Sequence, residues 1–197
     1  MDSPAGRLGL RVASRRAIAA RGFTLVELLV AIALTALLAG LAAPAMTAMT
    51  RSVRLTSAAN DLFASLLIAR SEAVKRAGRV TLCKSADGRA CSATGGWEQG
   101  WIVFHDTGGL GTREAGEHVL LHAQPLDQRL RLSGNLNVAR YVSFTASGAT
   151  ALASGAFQAG TITMCHASME GSEGRQIVLS ASGRARAQRK VLDRCPA

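Results

Sequence analysis

Aromatic side chains are scarce in this chain. Five Phe, two Trp and one Tyr make up 4% of 197 residues, which leaves little for an extended base-stacking platform. Acids are also few, 13 Asp and Glu against 23 Lys and Arg, for a formal charge of +10, and none falls between Gly174 and Leu192. No serine stands in a Gly-x-Ser-x-Gly context and no His-Glu-x-x-His occurs, so the common hydrolase and zinc-protease signatures are missing. His118 and His122 flank Val119-Leu120-Leu121 without a glutamate, and on a strand they stand too far apart to share a metal. No period of 20–50 residues marks a repeat architecture. The length allows one modest domain plus an appendage and excludes a large multidomain enzyme. The sequence yields no catalytic centre, no cofactor site and no metal site.

What is present is apolar and unevenly charged. At 48% hydrophobic residues the chain is too apolar for a disordered polycation. Residues 1–22 carry Arg7, Arg11, Arg15, Arg16 and Arg21 against Asp2; residues 183–197 carry Arg184, Arg186, Arg189, Lys190 and Arg194 against Asp193. The rest is close to neutral. From Leu28 to Thr50 there are 23 residues without a charge. As a helix they would extend about 34 Å, enough to cross a bilayer core. The five arginines ahead of this run predict a cytoplasmic N-terminus and an exported C-terminal part. A cleaved signal peptide competes, with Ala43-Pro44-Ala45 as its cutting site, but the run exceeds the roughly 7–15 residues of a signal core. Glu27 at its start also argues against that reading, because a carboxylate in lipid needs a partner.

Arg21-Gly22-Phe23-Thr24-Leu25-Val26-Glu27-Leu28-Leu29 closely resembles the type IV prepilin processing motif. The resemblance implies that a prepilin peptidase cuts after Gly22, the last leader residue, and that Phe23 becomes the N-methylated first residue. It also implies that Glu27 is the assembly carboxylate, pairing with the terminal amine of a neighbouring subunit. Pro44 falls where pilin helices commonly carry a proline, which would kink the helix.

Leu55, Ala58, Ala59, Leu62, Phe63, Leu66, Ala69, Ala73 and Val74 recur at three- and four-residue spacing. They mark one apolar helix face, with Gly78 as a stop. Three segments are expected: a leader over 1–22, one long helix over 23–77 whose first part (23–50) crosses the membrane, and an exported domain over 78–197. Strands are expected at Val80–Cys83, Trp101–His105, His118–Leu121, Tyr141–Phe144, Thr161–Cys165 and Gln176–Leu179, separated by Gly-, Ser- and Asp-rich turns. A long helix followed by antiparallel strands gives an α+β fold, the helix packed on a sheet. Ala69 to Arg76, Val80-Thr81-Leu82-Cys83 and Gly100-Trp101-Ile102-Val103-Phe104 are similar to the GspH/FimT group of minor pilins and pseudopilins, which implies a type IV pilin-like fold.

All four cysteines lie beyond the apolar run, as suits an oxidising compartment. Of three possible pairings, Cys83–Cys91 would close a small turn-rich loop, leaving Cys165–Cys195 to tether the C-terminal segment. A Cys-x7-Cys spacing with one nearby His166 does not resemble a zinc framework. Asp106, Glu114 and Glu117 depart from a calcium-loop spacing and read as an ordinary solvated loop. Trp97 and Trp101 read as packing residues.

Composition alone makes Ser182-Gly183-Arg184-Ala185-Arg186-Ala187-Gln188-Arg189-Lys190 a solvated, charged end. The absence of acids around it, and a tether at Cys195, point instead to a fixed cationic patch. The stretch resembles the Gly-Arg-x-Arg-x-x-Arg motif of FimT-type pilins, which implies DNA binding in natural transformation through Gly183, Arg184, Arg186 and Arg189. Lys190 and Arg194 are added on charge. With no aromatic in residues 183–197, the contacts are expected to be to phosphate, with little sequence preference. The implied protein is a minor type IV pilin, anchored in the inner membrane by one span and then built into a surface pilus with other pilins. A GspH-like pseudopilin of a type II secretion system, or a structural minor pilin that primes assembly, are the alternatives.

Overall fold

A computed structural model describes residues 22–167 and 172–196, without the side chains of residues 41–45 and 172. The leader expected over 1–22 therefore lies outside the described residues, apart from Gly22. Helix α1 runs from Leu25 to Lys75. Its start is a reciprocal cap: the Glu27 N–H donates to the Thr24 hydroxyl (3.2 Å), and the Thr24 N–H donates to the Glu27 carboxylate (3.4 Å). This Thr-x-x-Glu pairing satisfies two donors that a helix end leaves open.

The chain divides into two units, 1–46 and 47–197. In the first, the helical side chains of Leu28, Leu29, Ile32, Leu34, Leu37 and Leu38 are all exposed. Among the described residues, no helix is long and apolar enough to cross a membrane. The crossing segment expected within 23–50 includes residues 41–45, whose side chains are not described.

The second unit holds the core. Leu55, Ala58, Ala59, Leu62, Leu66, Ala69 and Ala73 form the buried stripe of α1, as their spacing dictates. Val74, expected on the same stripe, is 52% exposed. The helix ends differently from expectation. Ala77, not a glycine, takes the left-handed conformation (φ 47°), and the Gly78 N–H donates back to the Ala73 carbonyl (3.2 Å). Gly78 instead packs against His105, where a β-carbon would lie 2.8 Å from the ring Nε2 and the ring would have to shift.

Among the described residues eight strands follow: β1 (Val80–Lys84), β2 (Trp101–His105), β3 (Val119–Ala123), β4 (Leu130–Gly134), β5 (Tyr141–Phe144), β6 (Gly160–His166), β7 (Ser172–Leu179) and β8 (Ala185–Leu192). The antiparallel sheet expected from sequence is present, divided into two four-stranded sheets ordered β3-β2-β1-β5 and β4-β6-β7-β8. Val80, Leu82, Val103, Val142 and Phe144 from the first join Leu130, Leu132, Ile162, Met164, Ile177 and Leu179 from the second. Together they form one cluster with the α1 stripe. Leu62 and Leu66 sit within it essentially inaccessible, each contributing about 1.5–3 kcal/mol by burial. Trp97 and Trp101 are core residues, with their indole N–H groups donating to the Val138 carbonyl (3.1 Å) and the Ser65 hydroxyl (2.9 Å).

Strands β4 and β8 were not anticipated. In particular, most of the segment expected to be a basic tail is a strand, hydrogen-bonded to β7 from Leu179↔Ala185 to Ser172↔Leu192.

Candidate nucleic-acid interface

The candidate interface lies on β8, an edge strand of the second sheet. Pairing places Arg186 opposite Val178, Lys190 opposite Gly174 and Gln188 opposite Gln176. The intervening residues Ala185, Ala187 and Arg189 lie opposite Leu179, Ile177 and Arg175, which are buried. Because strand side chains alternate, the outward row is Arg186, Gln188 and Lys190, continued by Arg184 in the preceding turn. From Arg184 to Lys190 this row spans about 20 Å. Arg189, grouped with Arg184 and Arg186 by sequence, lies on the opposite, core-side face, exposed at the sheet's edge. Lys190, which sequence ranked below the three arginines, stands in line with Arg184 and Arg186. Arg194 is exposed beyond the strand. Among the described residues, none of these cations is ion-paired with an acid.

Gly183 is buried and takes no surface role. It adopts φ 76°, and a β-carbon on it would lie 1.9 Å from the Gly148 carbonyl oxygen. The β7–β8 turn is held from two sides. Arg70 of α1 donates from Nε to Gly148 O (3.0 Å) and from Nη2 to Ser182 O (3.4 Å). The Thr150 hydroxyl bridges Gln158 O (2.6 Å) and Ser180 O (3.0 Å), and the Thr150 N–H donates to Ala181 O (3.0 Å). At the far end of β8, Cys195 is bonded to Cys165 on β6. Cys83 is bonded to Cys91, which closes the loop after β1. Both ends of the cationic strand are thus pinned, which lowers the entropy lost when a polyanion binds. Lys and Arg on an edge strand also oppose pairing with stray strands, a role that needs no ligand.

The other polar groups singled out by sequence have internal work. Asp106 is buried and accepts from the Thr81 hydroxyl (2.6 Å) and from the Leu110 and Gly111 N–H groups (3.1 and 3.0 Å). Burial raises the Glu117 pKa, but the Glu114 and Gly108 N–H groups and the Thr107 hydroxyl outweigh it and the net shift is downward. These carboxylates fold their loop. Among the described residues, no group of three His, Cys, Asp or Glu side chains could hold a metal. His166, at the end of β6, lines a cavity of about 190 Å³ with Arg51, Ser52, Leu55, Glu173 and Arg175, and its Nε2 is buried without a hydrogen-bond partner. Burial, reinforced by Arg51, depresses its pKa.

Residues 58–183, nearly two thirds of the chain, match the family model for type II transport protein GspH. The chain belongs to the GspH family. Residues 19–43 match the prokaryotic N-terminal methylation motif. No curated protein sequence matches the chain. Two crystal forms of the type IV minor pilin FimU of Pseudomonas aeruginosa share the fold. One is 22% identical with a TM-score of 0.53, covering 71% of this chain and 92% of the pilin; the other is 23% identical with a TM-score of 0.50, covering 68% and 92%. The minor pseudopilin EpsH of the Vibrio cholerae type 2 secretion system is 15% identical over 68% of this chain and 96% of its own, with a TM-score of 0.47. The GspH-family chain therefore has a type IV pilin-like fold. Its GspH match ends at residue 183, so β8 and its cations lie beyond the matched stretch.

Proposed function

We propose that this GspH-family chain is a minor type IV pilin that binds DNA and contributes to DNA uptake in natural transformation. The observation that carries the reading is the outward row of Arg184, Arg186 and Lys190 on a strand pinned at both ends, with no ion-paired acid among the described residues. Contact is to phosphate: a cationic edge with no base-reading element binds polyanions without sequence preference. Engaging three to five phosphates gives a log–log salt slope of about −3 to −4.5 and micromolar-range affinity that fades at high salt.

In the same reading, a prepilin peptidase cuts between Gly22 and Phe23 and methylates Phe23. Glu27 pairs with a neighbouring subunit's amine, and the protein passes from a single inner-membrane span, N-terminus in the cytoplasm, into the filament. The family's type II transport description favours a second reading, a secretion pseudopilin, which needs no cationic edge. A mobility-shift titration with residues 47–197, the unit that contains the whole core and both disulfides, separates the two. Salt-sensitive DNA binding that is lost in the folded Arg184→Gln/Arg186→Gln/Lys190→Gln protein supports the pilin reading. Unchanged binding in that protein leaves the pseudopilin.

A further inference from the structure

The structure fastens a segment that bears an exposed aromatic ring to the turn that opens the cationic edge. Phe157 is 82% exposed. It lies on the chain entering β6, next to Gln158, whose fully buried side chain donates to the Asn137 and Tyr141 carbonyls (2.8 and 2.9 Å) and accepts from the Ser143 N–H (2.9 Å). Gln158 thus fixes the backbone and leaves Phe157 turned outward. Its carbonyl shares the Thr150 hydroxyl with that of Ser180, and Ser180 in turn bonds the Arg184 carbonyl with its N–H (3.0 Å). One side chain, Thr150, therefore fastens the segment bearing Phe157 to the turn bearing Arg184.

A phenyl ring in water contributes nothing to either core cluster here. Carried on a segment fastened to the turn of Arg184, it offers what an unpaired base needs: a flat apolar surface, with a guanidinium on the linked turn to hold a nearby phosphate. A duplex keeps its bases stacked on each other, and a ring enters that stack only by kinking it open at a cost of a few kcal/mol. Resting on the DNA reading above, we infer that Phe157 stacks on a base, so that the strand engaged at the Arg184 end of the interface is single-stranded DNA.

The test uses the full chain in detergent, a labelled oligothymidylate and a duplex of equal length. Phe157→Ala should bind the single strand about five- to tenfold more weakly, the low end of what one lost base stack costs. Duplex binding and salt slope should not change, because no charge is removed. Circular dichroism checks the fold. Phe157→Trp should keep the affinity, and its indole should be quenched by the oligothymidylate. Trp97 and Trp101 are both buried, so the added indole is the accessible one.

Undiminished single-strand binding by Phe157→Ala would overturn the inference, as would equal losses on both DNA forms. Intact DNA binding with failed entry into filaments would assign the ring to a neighbouring pilin instead. Arg184→Gln/Arg186→Gln should weaken both DNA forms and flatten the slope. If it does so while Phe157→Ala does nothing, only the stacking contact falls. If it does neither, the DNA reading falls with it.

Discussion

A β-carbon on Gly183 would lie 1.9 Å from the carbonyl oxygen of Gly148. The glycine of the Gly-Arg-x-Arg motif is thus fixed by packing between two turns, and the arginines after it inherit their positions. Gly183→Ala should cost roughly 2–4 kcal/mol, combining a left-handed backbone with a backbone collision. Gly155 is also left-handed (φ 85°) but open to solvent, and Gly155→Ala should cost only about 1 kcal/mol. Urea unfolding of the two variants makes the comparison.

Residue alternation along β8 orders the cations differently from their order in sequence. Lys190→Gln should flatten the log–log salt slope of DNA binding by about one unit, as should Arg186→Gln. Arg189→Gln should change it by clearly less, because Arg189 stands across from Arg175 on the other face. Binding titrations at four or more salt concentrations read this out. Equal effects from Arg189 and Lys190 would mean that DNA wraps the edge rather than lying on one face.

Glu27 has a capping role in the structure and a proposed role in assembly, and substitution can separate them. Its carboxylate caps α1 through Thr24, and glutamine serves in a capping box nearly as well as glutamate. If the charge matters for assembly, Glu27→Gln should enter filaments as poorly as Glu27→Ala. If the cap is the whole role, Glu27→Gln should assemble normally. Intact mass of the membrane-extracted protein, expected to begin at methylated Phe23, tests the processing step in the same samples.

The depressed His166 pKa makes stability depend on pH. The folded state holds fewer protons than the unfolded chain between the lowered value and the ordinary 6.5, so stability is full above 6.5 and declines as pH falls through that window. Burial and Arg51, Arg54 and Arg129 all oppose the charged imidazole; Asp127 favours it. Arg175 and Glu173 line the same cavity. His166→Phe should flatten the decline in urea midpoint between pH 7.5 and 5.5. Asp127 and Glu117 add their own losses only as pH falls below their ordinary values of 3.8 and 4.5.

Much of the fold was legible because it is written in periodicity. The α1 stripe, from Leu55 to Ala73, and strands such as β1, β2 and β5 are apolar, β-branched or aromatic runs that leave little choice. The cysteine pairs were legible from one short spacing, which left a single partner for each remaining thiol. Strand β8 was illegible because from Ala185 to Lys190 both its faces are polar or small, with apolar residues only at Val191 and Leu192. Its extended form comes from pairing with β7 and from the Cys165–Cys195 bond, neither of which leaves a local pattern. The interface inherited the same blind spot. Motif spacing groups Arg184, Arg186 and Arg189, whereas the strand period separates the third. Phe157 is 27 residues before Arg184 in sequence, and only the Thr150 bridge shows that they belong together.

Cys165 lies on β6, an inner strand of its sheet, and Cys195 follows the outermost strand. An edge strand held by hydrogen bonds alone unzips one rung at a time when its end is pulled. Here the end is covalently joined to a strand two places inward, so tension on β8 reaches the middle of the sheet before the first rung can part. In the proposed reading, DNA bound along β8 would pull against that bond, and the grip would fail by losing the DNA sooner than by losing its shape.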